Sequence, residues 1–100
     1  MQELKITQNE EESRFETYVE GHLSVIEYRK TGKRIAYTHT EVAKEIRGRG
    51  IAGKLSKYAL EYARKQELSV LPYCPYLAAY IKKHPEYQEL VDDHYKEDHK

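Results

Sequence analysis

Apolar and polar side chains alternate along residues 14–20, residues 22–29 read as the next extended stretch, and 34–42 is rich in β-branched and aromatic types without Gly or Pro. A period of two in such residues predicts strands with one face turned inward. In the first stretch Phe15, Thr17 and Val19 share that face. Residues 3–8 carry the pattern more briefly and read as a short opening strand, with the acidic run 9–13 as a loop. Gly21 and the turn Lys30-Thr31-Gly32-Lys33 are connections too short for anything but antiparallel pairing. At Ile51 the period changes. Ile51, Leu55, Ala59, Tyr62 and Ala63 recur at helical spacing, with Lys54, Lys57, Glu61, Arg64 and Lys65 opposite, which predicts an amphipathic helix over 51–66.

Residues 68–71 read as a short buried strand. Because a helical crossover leads to it, this strand should lie parallel to 34–42, and a splay between the two would open a cleft. Pro75 suits the first turn of another helix running to about Lys83, and Pro85 interrupts or restarts it. The expected class is α+β: a mostly antiparallel sheet with one parallel strand pair and packed helices. A single domain over 1–91 is expected, followed by a charged, unstructured tail over 92–100.

Composition narrows the function. One hundred residues bury a single core, and a charged fraction of 34% without a long apolar run excludes a transmembrane helix. Met1 is followed by Gln2, Glu3 and Lys5 rather than by a basic and then apolar leader, so a cytoplasmic location is expected. Seventeen basic residues balance seventeen acidic ones, which argues against nucleic-acid or membrane partners. The lone cysteine makes neither an internal disulfide nor a cysteine zinc site. His94 and His99, among Asp92, Asp93 and Asp98, lack the fixed spacing of a metal site, and no metal is expected.

The chemistry concentrates at Arg47-Gly48-Arg49-Gly50-Ile51-Ala52, where strand gives way to helix. The first amides of a helix have no intrahelical acceptor and carry the positive end of its dipole. Gly48 and Gly50 permit unusual backbone angles and close approach, while Arg47 and Arg49 add charge, so a pyrophosphate suits the turn. A solvated loop suits the same residues. Gly48, Gly50 and Gly53 do not make a dinucleotide fingerprint, because the preceding strand and following acidic partner are not those of a dinucleotide unit. Gly53-Lys54 is followed by Leu55, not by the Ser or Thr of a P-loop.

Arg47-x-x-Gly50-x-Ala52 resembles the Arg/Gln-x-x-Gly-x-Gly/Ala signature of the GCN5-related N-acetyltransferases (GNATs). His39-Thr40-Glu41-Val42, Pro72-Tyr73-Cys74-Pro75-Tyr76 and Lys83-His84-Pro85-Glu86-Tyr87 resemble, in the same order, the short single-domain GNAT-like proteins. The resemblance implies a minimal GNAT fold. It implies acetyl-CoA as cosubstrate, contacted by Glu41, Val42, Arg47, Gly48, Arg49, Gly50, Ile51, Ala52, Gly53 and Lys54. It also implies transfer of acetyl to a primary amine, on a protein lysine or a small molecule. The alternative is a coenzyme A-binding module without efficient catalysis. The two helices that full-size members place between their first strands have no room here, and the strands after the last helix are missing. The acceptor side is therefore expected to be open, or completed by a partner such as a second copy in a homodimer.

Three residues are candidates for catalysis. Cys74 precedes Pro75 at a helix start, where a thiol gains thiolate character, and reads either as an acetyl-accepting nucleophile or as a small buried hydrophobe. His39 and Glu41 share one face of their strand, with Thr38, Thr40 and Val42 on the other; His39 reads as a base or as a structural histidine. The resemblance makes Tyr80 a donor to the leaving thiolate, with packing as its other reading. His84 reads as a residue that caps or packs.

Overall fold

The computed structural model describes residues 4–98. Among these, five strands form one sheet in the order of the chain: β1 (Thr7–Asn9), β2 (Arg14–Val19), β3 (His22–Thr31), β4 (Arg34–Glu41) and β5 (Ser69–Pro72). The first three pairings are antiparallel and β4 pairs with β5 in parallel, as the short turns and the helical crossover require. The opening strand is shorter and later than expected: Asn9 belongs to it, and Glu3 lies outside the described residues.

Helix α1 (Ile51–Lys65) buries Ile51, Leu55, Ser56, Ala59, Leu60 and Ala63 against the sheet. Phe15 is the hub of that contact, with its ring centroid 5.0 Å from Tyr28 and Tyr62 and 5.2 Å from Tyr58. α1 ends in a Schellman motif: the Leu68 amide donates to the Ala63 carbonyl and the Glu67 amide to that of Arg64. Helix α2 (Pro75–Lys83) follows β5 at once and packs beside α1, burying Leu77 and Ile81 in the same core. A 3-10 turn at Pro85–Leu90 then brings Tyr87 against α1, where its hydroxyl donates to Glu61 at 2.8 Å.

The segment expected to be an unstructured tail opens with an anchored residue. Val91 bridges to Val70 on the outer side of β5, and the Asp92 amide donates to the Val70 carbonyl at 2.8 Å. The buried Asp92 carboxylate accepts from Arg34 and from the amide of His94, so it starts a short helix, α3 (Asp93–Asp98). The capping aspartate directly follows Val91, a signal that the surrounding charge had masked. His99 lies outside the described residues.

Two irregularities shape the region between β4 and β5. Opposite β3 the register shifts between Glu27 and Tyr28, so that Thr38 is an extra, bulged residue on β4. Parallel pairing ends at Tyr37 and Pro72, and only the Cys74 amide, bonded to the Tyr37 carbonyl at 2.9 Å, continues it. Beyond that point β4 runs on to Glu41 with its β5 side unpaired.

Candidate functional site

The split between β4 and β5 opens into a cleft of about 640 Å³. Its floor is the end of β4, with His39, Thr40, Glu41 and Val42; one wall is Arg47, Gly48, Gly50, Ile51 and Ala52 at the start of α1; and Tyr76 of α2 stands opposite. Gly50 is the N-cap of α1 at φ +74°, and Gly48 has φ +86°, both in the left-handed region that side chains rarely adopt. Neither has a neighbour within 4 Å of where a Cβ would stand. No side chain caps the helix and its first turn holds no acidic residue. The first intrahelical bond runs from Lys54 to Gly50, which leaves the amides of Ile51, Ala52 and Gly53 without a helical acceptor. These donors, beside the positive helix end, suit an anion.

The basic residues of the turn divide. Arg47 lines the cleft and donates from Nε to the Val42 carbonyl at 3.3 Å, which ties the turn to the end of β4. Arg49 does not line it; its guanidinium pairs with Glu20 of the β2–β3 turn, and that pairing holds the Glu20 carboxyl below its ordinary range. Lys54 is exposed and outside the lining. Gly53 faces α2, where a Cβ would stand 3.7 Å from the Tyr76 hydroxyl and 3.8 Å from the Tyr80 ring.

His39 lies in the cleft with its Nε2 3.1 Å from Glu41. The carboxylate can only accept, so Nε2 is the donor of this contact and Nδ1 is the ring nitrogen left for another partner. Cys74 is the N-cap of α2 and buried, with its thiol 3.1 Å from the Thr40 hydroxyl. Thr40 lines the cleft and Cys74 stands behind it. Tyr80 is outside the lining and stacks on His84, centroids 4.0 Å apart. Burial, then the nearby Glu86 carboxylate, raises the Tyr80 hydroxyl above the ordinary tyrosine range. His84 donates from Nδ1 to the Tyr80 carbonyl at 2.9 Å, a packing and capping arrangement. Among the described residues, no group of three or more His, Cys, Asp or Glu side chains is placed to hold a metal ion, and no helix is long and apolar enough to cross a membrane.

Comparisons with known proteins point to one family. A family profile described as GCN5-related N-acetyl-transferase matches residues 14–90. The chain belongs to the GCN5-related N-acetyltransferase family. The solution structure of a GCN5-like protein from Staphylococcus aureus superposes with a TM-score of 0.71 at 29% identity, covering 92% of this chain and 91% of that one. Protein NATD1 of Mus musculus is 41% identical over 63 residues, and Protein NATD1 of Danio rerio 34% over 71. The matched stretch is 62% of this chain and 57% of the mouse protein, and 68% of this chain and 64% of the zebrafish one.

In this GNAT chain two lining residues had no assigned role in the sequence. Tyr76 enters the cleft because Pro75 starts α2 immediately beside the split, placing the next side chain over the start of α1. Its position after Pro75 was the available signal. Thr40 links the cleft to Cys74, a contact between residues 34 apart that only the closed sheet creates.

Proposed function

We propose that the cleft binds acetyl-CoA and that the protein transfers its acetyl group to a primary amine. The observation that carries this reading is the meeting, in one cleft, of an uncapped helix start and an unpaired strand edge. The amides of Ile51, Ala52 and Gly53, with Arg47, suit the pyrophosphate. The free edge of β4 offers backbone donors and acceptors to the amide-bearing arm of the coenzyme, as a sheet edge does to an added strand. The thioester supplies an activated acetyl carbon for the attacking nitrogen. His39, oriented by Glu41, accepts the amine proton at Nδ1. Thr40, hydrogen-bonded to Cys74, presents a hydroxyl at the cleft floor, and Tyr76 is the tyrosine of the lining that could donate to a departing thiolate.

Gly50→Glu tests the binding half of the proposal. A side chain there projects into open space in the cleft and adds negative charge where the pyrophosphate would rest. Calorimetry should show acetyl-CoA affinity falling by roughly a hundredfold or more. The fold should survive at a strain of about 1–2 kcal/mol. Unchanged affinity in the folded variant would remove the phosphate site.

A second reading is a coenzyme A-binding protein without efficient transfer. The burial of Cys74 and the packing of Tyr80 away from the cleft favour it, since neither then meets a thioester directly. Turnover with amines, measured on protein that binds acetyl-CoA, separates the two readings.

A further inference from the structure

A second cavity, of about 670 Å³, lies across the sheet where β4 and β5 part. It runs from Glu12 and Ser13 before β2, over Glu27 of β3 and Ala36 of β4, to Thr38 and Tyr73. By strand alternation Glu27 and Ala36 face away from Tyr28 and Tyr37, hence away from α1. The groove thus opens on the face away from α1 and meets the cleft at the bulge, where Thr38 lines the groove and His39, the register partner of Glu27, lines the cleft. The groove has fixed walls. Ser13 sits at φ +54°, a conformation that few non-glycine residues adopt, and its carbonyl accepts from the Tyr28 amide at 2.9 Å.

An attacking amine needs a route to the split that the coenzyme does not fill. On the α1 side the opening at the split is the cleft itself, the place proposed for the coenzyme. The groove is open and reaches the bulge directly. Its charges also select what travels along it. Glu27 is half-buried and makes no ion pair among the described residues, and Glu12 stands further out; Arg29 is the one cation of the lining. The attacking amine must be neutral, whereas a nitrogen that stays protonated is held by a carboxylate. Glu27 lies one strand from β4 and Glu12 two, or roughly 5 and 10 Å at ordinary strand spacing. That separation suits a second positive charge on the same acceptor.

Resting on the acetyl-transfer reading above, we propose that the acceptor enters by this groove and is a polyvalent amine. One nitrogen reacts at the split while an ammonium 5–10 Å away, by the same strand spacing, rests against Glu27 and Glu12. A free polyamine and paired lysines of a peptide present the same chemistry.

The test titrates isotope-labelled, acetyl-CoA-saturated protein with spermidine, a Lys-Lys peptide and butylamine, following backbone amides by NMR. Saturable shifts at Ser13, Glu27 and Thr38 with spermidine or the peptide, at lower concentration than with butylamine, support the proposal and identify the source. Glu27→Gln should weaken the polyvalent ligand by roughly threefold to tenfold, with acetyl-CoA affinity unchanged. Equal binding of mono- and polyvalent amines, or shifts away from the groove, would overturn it while leaving the coenzyme site intact. Failure of acetyl-CoA to bind would instead overturn the underlying reading.

Discussion

Cys74 shows how one residue's surroundings decide between chemistry and packing. Its amide extends the sheet to Tyr37, its carbonyl accepts from Ala78, and its thiol is shared with Thr40. A thiol so enclosed acts on the cleft through Thr40 unless the side chain turns outward. Cys74→Ala should therefore leave acetyl-CoA affinity within a few fold, because that affinity rests on the helix start and strand edge. If the thiol is nucleophilic, turnover should fall roughly a hundredfold or more, and mass spectrometry should find one acetyl adduct on Cys74 in the native protein. Full activity in the alanine variant would leave Cys74 a packing residue. The sequence exposed this residue through its place before Pro75. It could not reveal the thiol's partner, because Thr40 comes near only after β4 and β5 are joined.

Elements carry their own tests. The Schellman turn ending α1 places Glu67 at φ +56°, where glycine is the residue best accommodated. Glu67→Gly should raise stability by roughly 0.5–1 kcal/mol in denaturant unfolding, the relief of left-handed strain exceeding the added chain entropy. Tyr87 fastens the 3-10 turn to α1. Burial, reinforced by its hydrogen bond to Glu61, pushes its hydroxyl up to about 12 from an ordinary 10. The unfolded chain therefore releases this proton first as pH rises, and the stabilisation present below pH 10 is lost between about 10 and 12. Tyr87→Phe should flatten the stability profile in that window; an unaltered alkaline slope would show that other groups set it. Strand and helix periods made β2 to β5, α1 and α2 legible in the sequence, but not α3 or the bounds of β1. The bulge at Thr38 left no such mark, because an extra residue on an exposed stretch changes neither composition nor alternation enough to be read.

At the scale of the whole molecule, the fold follows from a short list of necessities. Hairpins without room for crossovers force an antiparallel meander, α1 forces one parallel pair, and Pro72 ends that pair. The separated strands then leave a cleft at the split and a groove beside it on the face away from α1. Legibility followed the range of the interactions. The glycine turn and helix start were local and could be read from residues 47–52, whereas Tyr76 in the cleft and Arg49 on Glu20 depend on contacts across the chain. The most direct test of the account is a titration of isotope-labelled protein with acetyl-CoA, followed by NMR. Saturable shifts should concentrate at the amides of Gly50 to Gly53 and of Thr38 to Glu41, with little change in α3. No saturable binding, or shifts gathered around Lys82 and Lys96 at the α2–α3 surface, would contradict it.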